Sequence, residues 1–147
     1  MRLRFIFPIV ALVLLAGTVS VNGQCKSFAK KVGIPELGAY VHDGNYHAAV
    51  LVEGEEAELY KTFYSDMKYR VAICGEENLQ NVEFKVLDAS KNVIYSNKDA
   101  NFAKTWDFEL QASQQLKLVV KVPEHSKSGE TPASGCVSIM FGFKLKK

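Results

Sequence analysis

The sequence has few of the residues from which compact catalytic or metal-binding motifs are built. It contains three histidines and three cysteines in 147 residues. No Cys-x-x-Cys, His-Glu-x-x-His or Gly-x-Ser-x-Gly segment is present, which excludes a zinc ribbon, a zincin helix and the nucleophile elbow of an α/β-hydrolase. We therefore expect no metal and no other cofactor, and we predict that the protein is not an enzyme.

Long apolar runs are also missing from most of the chain. The run over residues 5–15 is shorter than the roughly 20 residues of a membrane span. It follows Arg2 and Arg4 and is followed by small residues that end at Gly23. This pattern predicts a secretory signal peptide over residues 1–23, cleaved after about Gly23. We accordingly expect a secreted or periplasmic protein with no membrane span.

An excess of charge is absent once the leader is set aside. The whole sequence has 18 Lys and Arg against 16 Asp and Glu, and removal of Arg2 and Arg4 leaves 16 of each in residues 24–147. Because binding through bulk electrostatics needs a marked basic excess, we expect no nucleic-acid partner. The remaining 124 residues suit a single domain with its own core.

Apolar and polar residues alternate with a period of two from position 46 onward, as in Tyr69, Val71 and Ile73. This period predicts antiparallel strands with one buried and one solvated face. With turn-forming segments roughly every 10–12 residues, the sequence predicts an all-β, antiparallel, jelly-roll-like β-sandwich. A short N-terminal helix fits residues 25–31, before the breaker Gly33-Ile34-Pro35. The eight predicted strands are 46–52, 57–64, 68–74, 81–88, 93–96, 105–110, 115–123 and 136–145.

The three cysteines predict one disulfide in an oxidising compartment. Cys74 ends one predicted strand and Cys136 begins the last, so the two meet at one end of the sheet if these strands are antiparallel neighbours. The sequence therefore favours a Cys74–Cys136 bond. Cys25 is then the odd thiol, or the alternative partner if the N-terminal segment folds back.

Metal-ligand and acidic residues cluster in predicted turns. His42, Asp43 and His47 flank a typical Asp-Gly-Asn turn and supply too few converging ligands for a metal site. Paired acids at residues 55–56 and 76–77 also lie in turns, where solvated charge is the ordinary outcome. A secreted hydrolase that uses surface carboxylates remains the alternative to a non-enzymatic protein.

Alternating polar side chains at Asn97, Asp99 and Asn101 resemble the start of a calcium loop. An EF-hand is excluded, because Phe102 and Phe108 hold its glycine and bidentate-acid positions. Weak calcium binding of another kind stays open.

Tyrosines provide the most suggestive candidate site. Tyr60 and Tyr64 share one face of a predicted strand, and Tyr40 and Tyr46 flank the adjacent turn. If the strand pair faces outward, it forms an aromatic strip that can contact a sugar or a protein. The alternative is that a strand covered on both faces buries these rings.

The strand pattern also carries a resemblance, through residues 68–75, 82–88, 106–108, 116–122 and 135–142. Over these segments the chain resembles prepeptidase C-terminal (PPC)-like β-sandwich domains, and more broadly uncharacterised small secreted proteins of Bacteroidota-type bacteria. The resemblance implies a jelly-roll-like sandwich outside the cytoplasm, with no catalytic residues and no calcium ligands to transfer.

These observations lead to one functional prediction. The protein is expected to be an exported, non-enzymatic binding or interaction module whose partner is a glycan, a peptide or another envelope protein. A secreted hydrolase and a structural envelope component are the alternatives. The sequence identifies neither the ligand nor the oligomeric state.

Overall fold

The computed structural model describes residues 21–147. The predicted signal peptide over residues 1–23 lies outside the described residues, except for its last three positions. The described part of the chain contains two antiparallel sheets, of five and four strands. The prediction of an all-β sandwich is therefore confirmed.

Each of the eight predicted strands corresponds to an observed strand whose ends differ from the prediction by two residues or fewer. The structure adds one strand of two residues, β1, which is too short to show a period. The strands are β1 (Val41–His42), β2 (His47–Val52), β3 (Glu56–Phe63), β4 (Met67–Gly75), β5 (Glu83–Leu87), β6 (Val93–Ser96), β7 (Thr105–Glu109), β8 (Gln114–Lys121) and β9 (Ser134–Leu145).

Strand pairing divides the molecule into two sheets. Sheet A has the order β1-β9-β4-β7, with β2 also paired to β9, and sheet B has the order β3-β8-β5-β6. All strand pairs are antiparallel. Strands β2 and β3 are thus edge strands, one in each sheet.

Alternate side chains of both sheets meet in one apolar layer, as the period of two requires. Phe63 is fully buried and makes edge contacts with Tyr69, Phe108 and Phe141, with ring centroids 4.8, 5.0 and 5.7 Å away. Trp106 stacks on Phe108 at 4.4 Å. These rings fill the interior between β3 and β7, and loss of one such side chain typically costs about 3–5 kcal/mol.

A helical segment covers the outer face of sheet A. It consists of helix α1 (Val21–Phe28), a π-helical turn (Ala29–Gly33) and helix α2 (Ile34–Glu36). Residues four apart along it, Cys25, Ala29, Gly33 and Leu37, are all buried. A Cβ atom at Gly33 would lie 2.8 Å from Met140 Cγ, so the lack of a side chain lets the segment approach the sheet.

The prediction that this helix ends before Gly33 is wrong. The Ile34 N–H donates to the Ala29 carbonyl, which carries the chain through Gly33 with a π-helical turn. Pro35 then lies in the first turn of α2, where its missing N–H removes no helical hydrogen bond. The breaker residues start a new helical turn instead of ending the segment.

The predicted Cys74–Cys136 disulfide is also wrong. Strand β4 does pair with β9, but the register places Cys74 opposite Ser138. Cys136 is therefore a diagonal neighbour, at roughly 7–8 Å, and a disulfide requires Cβ atoms about 3.5–4.5 Å apart. Cys136 bonds instead to Cys25 of α1, with a Cα–Cα distance of 5.2 Å. Cys74 is a buried free thiol, and burial raises its pKa to about 11.

Candidate binding site

The outer face of sheet B has no helical cover among the described residues, and we call it the open face. In strand β3 the burial pattern alternates, with every second side chain exposed. The helical segment contacts only strands of sheet A among its main packing partners. The outward side chains of the open face are Glu56, Glu58, Tyr60 and Thr62 from β3, Gln115, Lys117, Val119 and Lys121 from β8, and Glu83, Lys85 and Leu87 from β5.

Tyr60 lies in a row that crosses all four strands of sheet B. Its neighbour in the register is Lys117, which is followed by Leu87 and then Val93. Tyr60 is 58% exposed, Val93 55% and Ile94 41%. Tyr60 and Val93 therefore expose apolar surface at the two ends of this row, with Lys117 and Leu87 between them.

Lys117 fixes the surroundings of the Tyr60 ring. Its Nζ atom lies 5.7 Å from the ring centroid and 3.0 Å from Glu58 Oε1. The hydrogen bond that Lys117 donates to Glu58 raises the pKa of Lys117, so the ammonium is retained at neutral pH. This cation adds an ordered charge beside the aromatic surface.

An open hollow of about 330 Å³ lies beside Tyr60 and Lys117. The β5–β6 turn forms part of its rim, where Asp88 Oδ1 accepts hydrogen bonds from the N–H groups of Ser90 and Asn92, both at 2.9 Å. The bond from Asn92 is the main cause of the lowered pKa of Asp88. An ordered turn thus places a carboxylate at the edge of the apolar row.

Charges of both signs alternate over the rest of the open face. Lys121 lies opposite Glu56 on one side and Glu83 on the other. Lys98 Nζ is 3.5 Å from Glu83 Oε1. Such interspersed charge gives no field of one sign, and therefore matches a mixed protein surface better than a polyanion.

Tyr64 is 56% exposed but does not lie beside Tyr60 in one strip. It follows the end of β3 and lines a separate hollow of about 190 Å³ together with Asp43 and Phe143. The burial alternative is thus wrong for both tyrosines, while their role in binding stays a prediction.

Tyr40 and Tyr46 lie on the other side of the molecule, against the covered face of sheet A. Both are partly buried and pack on the small cluster formed under the helical segment. The Tyr40 ring lies 4.8 Å from the Arg70 guanidinium and 4.1 Å from Lys144 Nζ. Desolvation raises the pKa of Tyr40, with Asp107 adding to the effect. That Tyr40 and Tyr46 belong to one binding site with Tyr60 stays a prediction.

The His42–His47 region forms an ordered turn. Asp43 Oδ1 accepts the Asn45 N–H at 2.8 Å, and Asp43 Oδ2 accepts a hydrogen bond from Lys61 Nζ at 3.0 Å. Burial lowers the pKa of His47. Within residues 21–147 no group of three or more His, Cys, Asp or Glu side chains is arranged to hold a metal ion. Asp43 instead links sheet A to strand β3.

Asn97 is buried, and its polar atoms are used inside the protein. Its Oδ1 atom accepts the Phe84 N–H at 2.8 Å, and its amide donates to the Val82 carbonyl at 2.9 Å. Asn101 adopts a left-handed conformation at φ 51°, directly after the short 3₁₀ turn Asn97–Ala100. Asn97 therefore anchors the loop before β7. Its side chain gives no support to weak calcium binding in this loop.

The paired acids hold backbone groups in place. Glu55 Oε2 accepts the Val52 N–H at 3.1 Å. Glu76 Oε2 accepts the Cys136 N–H at 2.7 Å and so secures the start of β9. One acid of each pair thus has a structural partner, a role that the prediction of solvated charge missed.

Sequence reasoning also missed the covering segment, whose signal is present in the chain. Cys25, Ala29, Gly33 and Leu37 recur every four residues, which is typical of one helix face. Arg70 joins this segment to the sheet by donating to the Glu36 carbonyl at 3.3 Å and to Asp107. The asymmetry between a covered and an open face could have been inferred from that spacing.

Comparison with known proteins shows the fold only. No family model matches the sequence, and no curated protein is similar to it. The resemblance to prepeptidase C-terminal domains therefore stays a prediction. Within residues 21–147, no helix is long and apolar enough to cross a membrane.

The fold of this chain is similar to that of a solved structure. The chain is similar to PliG of Aeromonas hydrophila, a periplasmic lysozyme inhibitor of g-type lysozyme. The TM-score is 0.51 at 14% sequence identity, and the match covers 72% of this chain and 89% of PliG. At that identity the two proteins share a β-sandwich architecture.

Proposed function

We propose that the protein is an exported, non-enzymatic binding module that docks a partner protein on the open face of sheet B. The observation that carries this proposal is the exposure of Tyr60 and Val93 at the two ends of one row, on a face that no described helix covers. Apolar side chains exposed on one face are typical of interaction sites, and tyrosine is enriched at the centre of protein interfaces.

The chemistry around this row favours a protein over a glycan. Lys117 and Glu58 flank Tyr60, and Asp88 lies on the rim of the adjacent hollow. Charges of both signs around an apolar centre correspond to the polar rim and apolar core of a protein interface. A neutral sugar would contact the tyrosine ring and would gain nothing from the charges around it.

Two further observations support export and the class of partner. The Cys25–Cys136 disulfide fits an oxidising compartment, because such bonds persist outside the cytosol. The likeness to a periplasmic lysozyme inhibitor supports inhibition of a g-type lysozyme as the specific activity to measure first.

The test is a lysis assay with purified, disulfide-bonded protein corresponding to residues 24–147. Wild type is titrated against g-type and c-type lysozymes acting on bacterial cell walls, and binding is measured by calorimetry. Tyr60→Ala is expected to weaken inhibition and binding about tenfold, as expected for loss of a central aromatic contact.

Tyr64→Ala is the matched control, because Tyr64 is exposed to a similar degree (56%) but lies beyond the end of β3 and outside the row of Tyr60. Equal effects of the two substitutions would contradict docking on the open face. Absence of inhibition and binding with every lysozyme tested would reject the lysozyme class of partner.

A further inference from the structure

Strand β2 has an unpaired edge at the side of sheet A. Cys136 uses its backbone N–H and C=O on the β4 side, where both contact Glu76. Because hydrogen bonds alternate along an antiparallel ladder, Val50, which is opposite Cys136, and Ala48 direct their N–H and C=O groups away from β9. Among the described residues no hydrogen-bond partner is found for these outward backbone groups.

A hollow of about 470 Å³ lies beside this edge, between β2 and the neighbouring sheet. Ala49 and Ala57 leave it open because their side chains are small. Its inner surface is formed by core residues that are at most 7% exposed, namely Leu51, Val120, Val137 and Ile139. A strand added to β2 would place alternate side chains in this hollow.

The end of the hollow near the start of β2 is basic and aromatic. Lys26 lines it, and the ammonium groups of Lys26 and Lys30 lie 5.2 and 5.4 Å from the centroid of the Tyr46 ring. Both lysines are exposed, and neither has a carboxylate within ion-pair distance among the described residues. The positive charge of these two lysines complements an acidic group on a ligand that binds in the hollow.

A second copy of the chain fits this edge poorly. In an antiparallel β2–β2 pair, the free inward side chain nearest the centre would be Ala49, whose methyl group cannot fill about 470 Å³. Leu51, the larger inward residue, is already committed to its own core at 6% exposure. The hollow needs an apolar side chain that β2 itself does not offer.

We propose that β2 binds an extended acidic peptide segment as an additional strand of sheet A. Backbone hydrogen bonds to Ala48 and Val50 align the segment, an apolar side chain enters the hollow, and a carboxylate at one end meets Lys26 and Lys30. This surface is distinct from the open face, so the inference goes beyond the proposed function.

The experiment uses an array of peptides of about eight residues in which leucine, valine or phenylalanine alternates with threonine. Each peptide is made with a pair of aspartates, asparagines or lysines at one end or the other. Disulfide-bonded wild type is expected to be retained by the aspartate series, with binding that weakens as salt is raised. Dissociation constants are then measured by fluorescence polarisation with the best labelled peptide.

Three variants separate the contributions. Val50→Pro removes one outward N–H without touching the ladder to β9, and proline is tolerated at such an edge. Ala49→Phe fills the hollow from within. Each is expected to weaken binding about tenfold. Lys26→Glu with Lys30→Glu is expected to reverse the preference from the aspartate to the lysine series.

The matched charge control is Lys127→Glu, an exposed lysine in the loop before β9, and it should bind as wild type does. Tyr60→Ala should also bind as wild type does, which separates this test from that of the open face. Circular dichroism and intact mass verify that each variant is folded and oxidised.

Retention of wild type by no peptide of the array would overturn the proposal. So would wild-type affinity in both Val50→Pro and Ala49→Phe. A wild-type dimer in sedimentation that Val50→Pro dissociates would assign the edge to a second copy instead.

Discussion

The two outer faces of the sandwich differ in what covers them. On sheet A, the helical segment over residues 21–36 packs on Ala72 and Met140, which are both fully buried. The Cys25–Cys136 disulfide fastens the segment to β9. On sheet B, Tyr60 and Val93 occupy equivalent outward positions and remain 58% and 55% exposed.

This difference separates structural from functional use of apolar residues. Outward apolar side chains on sheet A are explained by the cover that buries them. Tyr60 and Val93 on sheet B receive no such burial, and therefore add nothing comparable to folding. The comparison predicts that changes on the covered face act on stability, whereas changes on the open face act on binding.

The largest expected effect comes from releasing the cover. Replacing Cys25 and Cys136 together by serine removes a cross-link that spans 111 residues. The free energy of unfolding should fall by about 2–5 kcal/mol, since a long loop constrains the unfolded chain strongly. Urea denaturation checks this value. Cys74→Ala keeps the disulfide and provides the control in which the bond is intact.

Close packing under the segment predicts the next largest effect. In Gly33→Ala the new Cβ would lie 2.8 Å from both Met140 Cγ and Ser138 Oγ, so the segment must move off the sheet. We expect a loss of about 1–3 kcal/mol in the free energy of unfolding, measured by urea denaturation. Lys30→Ala, on the exposed side of the same turn, should change it by less than about 0.5 kcal/mol. A Gly33→Ala protein as stable as wild type would show that the segment is not tightly seated.

Strand positions could be predicted from the sequence because each depends on a local pattern. The alternation of Tyr69, Val71 and Ile73 is present whatever β4 pairs with. Disulfide pairing depends on register, and the shift that puts Cys74 opposite Ser138 is not encoded in either strand alone. The extent of the helix was missed for a similar reason, since Gly33 ends helices in isolation and is required here by the distance to Met140.

The candidate site was predictable in part for the same reason. Alternation along β3 placed Tyr60 and Phe63 on opposite faces, which the structure bears out. Whether the outward face is covered depends on where the N-terminal segment packs. That position is known only from the tertiary structure. The edge of β2 was not predictable, because its open hollow arises from the spacing between two sheets.

A smaller effect concerns the pH dependence of stability, through a contact that attaches the helical segment to sheet A. The hydrogen bond from Arg70 is the main cause of the lowered pKa of Asp107. A carboxylate with a lowered pKa stabilises the folded state at pH values above its unfolded pKa, and this contribution is lost as pH falls through the folded pKa. Because the Asp107 side chain is 45% exposed, solvent screening keeps the contribution of this carboxylate to the free energy of unfolding below about 1 kcal/mol. Asp107→Asn should therefore reduce the loss of stability between neutral pH and about pH 3. An unchanged pH profile of unfolding would contradict this assignment.

The smallest change in stability is expected for a substitution on the open face, and this substitution tells most about function. Tyr60→Ala removes a ring that is 58% exposed and packs under no described helix, so the free energy of unfolding should change by less than about 0.5 kcal/mol. The same substitution is expected to weaken partner binding about tenfold, which corresponds to about 1.4 kcal/mol. Urea denaturation beside calorimetric binding gives both values for one variant, with Tyr64→Ala as the control. A loss of stability as large as that of Gly33→Ala would mean that Tyr60 supports the fold, and the distinction between a covered structural face and an open binding face would fail.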